Sequence, residues 1–358
     1  MVTYPKDWEN DTISDVADIT TGCRDTQDNK PNGRYKFFVR SPIVERINVA
    51  DYDCEAVLTA GDGVGTGKVF HYINGKFSAH QRVYVMNNFR GVDGKYFFYF
   101  FSKYFINEVE KYTAKSSVDS VRRAMIADMA FPHPKIDEQE DIVKALSTFD
   151  TYIDSLTELI EKKRNIRDGA LEDLVSGRTR LEGFADEWID GKIGDVLKIL
   201  HGRNQRTVES YSGKYPILGT GGVIGKASEY LCNWECVLIG RKGTIDKPIY
   251  MNTPFWTIDT LYYSIPAENQ CVKYQYYLFC TIDWYSYTES SGRPSLAKKV
   301  IESIPIRIPK HEEQVRIAET ITAMDEEITN LEAERDKMMQ IREGAMDDLL
   351  TGRVRLKV

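Results

Sequence analysis

The sequence predicts an α+β protein with two globular domains and two long helices that form an antiparallel coiled coil, arranged as an internal pseudo-twofold repeat. Three observations predict it. The 48 residues from Pro134 to Leu181 recur, without a gap, from Pro309 to Leu356, and 19 of the aligned positions are identical. Each copy carries a sustained heptad spacing of apolar residues. The intervening stretches are rich in short Val, Ile, Tyr and Phe runs broken by Gly, Asn and Pro, the pattern of many short strands.

Each element follows from these patterns in order. Residues 1–137 are expected to form the first globular domain, 138–181 a central helix, 182–311 the second globular domain and 312–358 a C-terminal helix. In the central helix, Ile142, Leu146, Phe149, Ile153, Leu156 and Ile160 repeat at steps of four and three, and Ile317, Ile321, Met324, Ile328 and Leu331 do the same later. The seam loosens at Lys163 and Arg335 and is expected to resume at Ile166, Ala170 and Leu174, and at Ile341, Ala345 and Leu349. Gly177 and Gly352 supply helix stops. From Glu138 to Val175 such a helix measures about 57 Å at 1.5 Å per residue. One narrow apolar stripe needs a cover, and the other copy in the same chain is the economical partner.

The globular stretches repeat more faintly. Shifted by 180 residues, Trp8, Ile13, Val16, Gly22, Tyr35, Val57 and Leu58 fall on Trp188, Ile193, Val196, Gly202, Tyr215, Val237 and Leu238. The aromatic runs Tyr96 to Phe101 and Tyr274 to Phe279 fit the buried face of a helix better than a platform for stacking on bases.

One stretch, GDGVGTGK from Gly61 to Lys68, invites a reading as a phosphate cradle. A P-loop needs Gly-x4-Gly-Lys followed by a hydroxyl that holds magnesium. Here Asp62 stands where the first glycine belongs and Val69 where the hydroxyl belongs. Gly63 also aligns with Gly243 in the paired stretch GRKGTIDKPIY, so both are expected to be glycine-bearing turns leaving a buried strand, with Lys68, Arg241 and Lys242 at their tips. A stand-alone NTP-dependent enzyme is therefore the weaker reading.

Composition narrows the classes further. The net charge is −7, yet residues 1–133 hold 17 basic and 17 acidic side chains and residues 182–308 hold 14 of each. The excess acid lies on the helical segments, so each neutral domain can present a basic face. The longest apolar run is too short to span a bilayer. MVTYPKDWEND lacks the basic and apolar stretches of a secretory signal, and a cytoplasmic location is expected. Six cysteines without a Cys-x-x-Cys pair read as reduced thiols, with no metal expected. Catalytic patterns are poor: Asn252-Thr253-Pro254-Phe255 lacks the first proline of an amino-methyltransferase motif, and Gly219 to Gly222 has no βαβ context. Glu161-Lys162-Lys163 lies inside the long helix, far from any acidic strand that a metal-dependent nuclease would use.

The paired helix openings DEQEDIV and EEQVRIA and closings GALEDLVSGRTRL and GAMDDLLTGRVRL, with the stretches GDGVGTGKVFHYINGKFSAHQRVYV and GRKGTIDKPIYMNTPFWTIDTLYY, resemble the specificity subunit of type I restriction and modification systems. The resemblance covers essentially the whole chain. It implies that the globular units are target recognition domains, each reading one half of a split double-stranded DNA site, and that the helices set the spacing and dock two methyltransferase subunits. It further implies a chain with no catalysis and no cofactor of its own. S-adenosylmethionine would belong to the methyltransferase partners, and ATP with magnesium to a restriction subunit where one assembles. No membrane association is implied. A DNA-reading module for a different methyltransferase-nuclease system is the nearest alternative.

For DNA contact the expectation falls on loop residues able to reach phosphates or base edges. In the first domain these are Arg24, Lys68, His71, Gln81, Arg82, Lys115, Ser117 and Arg122. In the second they are Arg203, Asn204, Arg206, Lys226, Arg241, Lys242, Thr244, Arg293 and Ser295. Arg122 and Arg123 pair with Lys298 and Lys299 in what the pattern predicts to be a short basic helix in each domain.

Overall fold

Two short β-strands close each domain onto the base of a long helix, and a larger strand array carries the loops. The computed structural model describes residues 3–113, 120–288 and 292–356. The chain divides into two units, residues 1–157 with 334–358, and residues 158–333.

In the first unit the order is β1 (Glu9–Thr12), α1 (Ile13–Val16), β2 (Asp18–Thr21), β3 (Tyr35–Phe38), β4 (Glu45–Ile47), β5 (Tyr52–Ala60), β6 (Phe70–Ala79), β7 (Val83–Asn87), α2 (Gly94–Thr113), α3 (Arg123–Ala127), β8 (Ala130–His133) and α4 (Ile136–Ser176). Six strands form one sheet in the order β2-β7-β5-β6-β3-β4, and β1 pairs with β8. The centre is β5, buried on both faces from Ala56 to Ala60. Helix α2 packs on β5 and β6. Asp93 caps it, its Oδ1 accepting the N–H groups of Lys95 and Tyr96 at 2.8 Å. Tyr96, Phe97, Phe100, Phe101 and Phe105 lie on its inner face and are buried. Each such burial contributes roughly 1.5–3 kcal/mol, so the aromatic run is core, as its spacing predicts.

The second unit repeats the plan with β9 (Ile189–Lys192), α5 (Ile193–Val196), β10 (Leu197–His201), β11 (Tyr215–Gly219), β12 (Gly222–Ala227), β13 (Cys236–Gly240), β14 (Ile249–Met251), β15 (Trp256–Thr257), β16 (Leu261–Pro266), α6 (Val272–Thr281), α7 (Lys298–Ser303), β17 (Pro305–Ile308) and α8 (His311–Leu349). Here the array breaks into the sheets β10-β16-β13-β14 and β12-β11-β15, with β17 paired to β9. The parallel pairing of β3 with β6, Phe38 opposite Ala79, is matched by that of β11 with β15, Leu218 opposite Thr257. Tyr274, Tyr277, Leu278 and Phe279 of α6 are buried.

Parts of α4 and α8 run antiparallel within each unit. In the first, Arg342 Nε donates to Asp150 Oδ1 at 2.5 Å and Tyr152 OH to Glu334 Oε1 at 2.6 Å. In the second, Arg167 Nε donates to Asp325 Oδ1 and Lys163 pairs with Glu327, both at 2.7 Å. The apolar seam resumes as expected at Leu174 and Leu349, with Ala170 and Ala345 packed against the cores, and departs from expectation at Ile166 and Ile341. Ile166 and Ile341 are exposed, whereas Leu171, Leu174 and Val175, and Met346, Leu349 and Leu350, are buried. The reason is polar: Asp325 also accepts Tyr277 OH at 2.8 Å, and Asp150 accepts Tyr99 OH at 2.5 Å. Arg167 and Arg342 therefore turn toward the domain at this level, and the isoleucine beside each faces water.

The matching ends of the repeat are one device used twice within the chain. Gly177 and Gly352 adopt φ of 74° and 67°, the left-handed conformation in which glycine alone escapes a Cβ penalty. A Cβ on Gly177 would stand 3.2 Å from the Trp188 ring, and one on Gly352 would stand 3.0 Å from Trp8 and 2.5 Å from Pro5. Gln139 Oε1 accepts Asp93 N–H at 2.9 Å, and Gln314 Oε1 accepts Cys271 N–H at 3.0 Å. Both glutamines thereby fasten their helix to the start of the domain's aromatic helix.

Candidate nucleic-acid interface

The end of the central strand organises the loops of each domain. In the first, β5 runs on through Gly61 to Asp62, which bridges Ser120, and Val121 N–H donates to Gly61 O at 2.7 Å. In the second, β13 runs on to Lys242, which bridges Ser295, and Leu296 N–H donates to Arg241 O at 2.9 Å. Gly61 N–H reaches Arg82 O, and Arg241 N–H reaches Thr260 O, both at 2.8 Å. His80 N–H reaches Phe38 O, and Ile258 N–H reaches Leu218 O. Matching backbone bonds therefore superpose Arg40, Asp62 and Arg82 on Thr220, Lys242 and Thr260.

Those positions carry different chemistry. Asp62 Oδ1 accepts Arg40 Nη1 and Oδ2 accepts Arg82 Nη1, each at 2.7 Å. Burial acts to raise the Asp62 pKa, but the two guanidiniums outweigh it and hold the carboxyl below its ordinary value. Arg40, Ser41, Asp62, Gly63 and Lys68 line an open groove of about 740 Å³. Lys68 is exposed. The amides of Gly61, Thr66, Lys68 and Val69 are spent on chain carbonyls, and none of these four is left to cradle a phosphate.

Other first-domain candidates are engaged in structure. Arg24 closes on Asp51 through Nε at 2.9 Å and Nη2 at 2.5 Å, leaving its fork occupied. Gln81 Nε2 donates to Asp25 at 3.2 Å. His71 is half-buried over Phe38, with ring centroids 5.0 Å apart, and burial holds its pKa below the ordinary imidazole value. Such a ring stays neutral and is a poor phosphate ligand. Arg122 is exposed at the N-terminus of α3. Lys115 and Ser117 lie outside the described residues.

In the second domain, His201, Arg241, Lys242, Ser295, Lys298 and Lys299 line one groove of about 580 Å³. Arg293 reaches over Gly243, where a Cβ would meet its guanidinium at 3.0 Å. Thr244 is half-buried, its carbonyl against Gly240. Arg203, Asn204 and Arg206 are exposed on the loop after β10, where Asn204 Oδ1 accepts Arg206 N–H at 3.0 Å. Gly202 begins that loop because a Cβ there would lie 1.9 Å from Ile258 O. Lys226 stands apart on β12, beside Glu209, Ser210 and Tyr211.

Sequence reasoning missed Arg40. It approaches Asp62 only through the parallel pairing of β3 with β6, but the 180-residue shift already laid Arg40 on Thr220 and Asp62 on Lys242, a divergence of charge at aligned positions. Among the described residues, Glu9, Asp11 and His133 bring potential metal ligands within 4.8 Å of one another. Both His133 ring nitrogens already face partners, Pro134 O at 3.0 Å and Asp11 Oδ2 at 3.2 Å. No helix among the described residues is long and apolar enough to cross a membrane.

Cationic side chains on loops held at strand ends of a rigid scaffold suit the binding of nucleic acid. The family model described as type I restriction modification DNA specificity domain matches residues 5–164 and 185–338. The chain belongs to that family. It is 28% identical over 158 residues to the type I restriction enzyme EcoDI specificity subunit of Escherichia coli, a match covering 44% of this chain and about a third, 34%, of that protein. It is 21% identical over 410 residues to the MjaVIII specificity subunit of Methanocaldococcus jannaschii, covering 99% of this chain and 94% of the relative. Its fold matches the S subunit of a type I restriction-modification system from M. genitalium with a TM-score of 0.69, 19% identity and 96% of each chain covered. A chain from a study of type I restriction-modification complex assembly and conformational transition gives a TM-score of 0.58 at 14% identity, covering 98% of this chain and all of that one.

Proposed function

We propose that this chain is the non-catalytic reader of a bipartite, asymmetric double-stranded DNA site, one half per target recognition domain. It directs adenine methylation by two methyltransferase subunits and, where a restriction subunit assembles, cleavage. S-adenosylmethionine is bound by the methyltransferases, and ATP with magnesium by the restriction subunit. The complex works in the cytoplasm. One observation carries the asymmetry: the same three backbone positions hold Arg40, Asp62 and Arg82 in one domain and Thr220, Lys242 and Thr260 in the other. Different donors and acceptors on one scaffold read different base edges.

Modified-base sequencing of host DNA, with and without the gene, tests the reading. The expected result is loss of N6-methyladenine from one split, asymmetric motif, with exchange of residues 182–308 altering only one half. Unchanged methylation in cells that express the methyltransferase overturns it.

A further inference from the structure

We infer that Arg40 and Arg82 read guanine in the half-site of the first domain and that Asp62 is the residue that positions them. This rests on the DNA-reading function proposed above. The carboxylate is divided between the two arginines, one oxygen to each Nη1 at 2.7 Å. Its side chain is recessed, 20% exposed, while those of Arg40 and Arg82 are 41% and 59% exposed. Among the described residues neither guanidinium has another hydrogen-bond partner. Each therefore keeps its Nε and Nη2 edge, two parallel N–H donors that match O6 and N7 of guanine in the major groove.

Arg24 shows the opposite arrangement. Its Nε and Nη2 are both spent on Asp51, so it holds the loop and has no fork to offer a base. A guanidinium anchored by one nitrogen is fixed in direction before DNA arrives and loses less freedom on binding. Phosphate would be served by a flexible charge. A recessed acid beside it would only weaken that attraction, which favours the base edge over the backbone. In the second domain the equivalent trio has neither a carboxylate nor a guanidinium, so its half-site is read by other means.

The test maps methylated motifs in cells that carry the full chain with its own methyltransferase. The half-motif that persists when residues 182–308 are exchanged belongs to the first domain, and it is expected to contain guanine. Arg40→Lys and Arg82→Lys keep the charge and lose the planar fork. Each is expected to relax one guanine position, with discrimination there falling about ten- to hundred-fold and the other half unchanged. Asp62→Asn is expected to relax both positions. A first half-site without a G·C pair overturns the inference, as do lysine variants that leave the motif intact or lower methylation of every site equally, the signature of phosphate contact. Failure of the reader function itself looks different: no motif would then depend on the gene.

Discussion

Arg180 closes on Glu313 with two parallel hydrogen bonds, Nε to Oε1 at 2.6 Å and Nη2 to Oε2 at 2.8 Å. Trp188 Nε1 adds a third donor at 3.2 Å. In the first unit Arg355 holds Glu138 in the same way, at 2.5 and 2.6 Å, and also reaches Asp7. The Arg-Leu ending and the Glu-Gln opening of the repeated segment are thus two halves of one clasp.

Glu313 is buried, and a buried carboxylate stripped of its cation is costly. Arg180→Ala is therefore expected to lower the thermal midpoint by several degrees. Arg353→Ala, which removes only an exposed pair with Asp348, is expected to shift it little. Calorimetry on the two variants checks the order.

Glycine substitutions are expected to split by sign. Gly352→Ala meets positive φ together with Pro5 and Trp8, and should destabilise by at least about 1–2 kcal/mol. Gly169 and Gly344 lie in helix interiors with nothing within 4 Å of a new Cβ. Alanine at either should stabilise by about 1 kcal/mol. Denaturant titration of the three variants measures both effects.

Burial holds the His71 imidazole below its ordinary pKa of 6.5, and burial does the same at His80, where Arg40 adds to it. The unfolded chain then takes up the proton first. Stability from these sites is present above pH 6.5 and lost as the pH falls from there toward the folded-state values. Asp51 and Asp62 are held below 3.8, so their contribution is lost only in stronger acid. His71→Phe is expected to flatten the stability curve just below pH 6.5 and leave the acid limb unchanged.

Lys298 and Lys299 open onto the second-domain groove. Their replacement by alanine is expected to weaken DNA binding of the assembled complex evenly across sequences. The slope of log K against log salt should fall by about one for each phosphate no longer neutralised. A change of motif without a change of slope would assign them to base reading instead.

Local pattern explains what was legible. The heptads, the glycine stops at Gly177 and Gly352, and the aromatic faces of α2 and α6 depend on neighbours three to seven residues away, so spacing alone exposes them. Beyond Lys163 the seam was legible at Leu174 and Leu349 but not at Ile166 and Ile341, because Asp325 and Asp150 draw Arg167 and Arg342 toward Tyr277 and Tyr99. The individual DNA-facing residues were less legible still. Nothing near Arg24 in the sequence announces Asp51 as its partner.

By itself, the sequence determined the repeat, the two-domain plan, the long helices and the family, since each is written in periodicity or in a motif of contiguous residues. Only the tertiary structure decided which cations are spent and which are offered. Arg40, Asp62 and Arg82 come from three separate segments that strand pairing brings within 2.7 Å. A hydrogen bond depends on distance in space, and chain separation does not encode that distance.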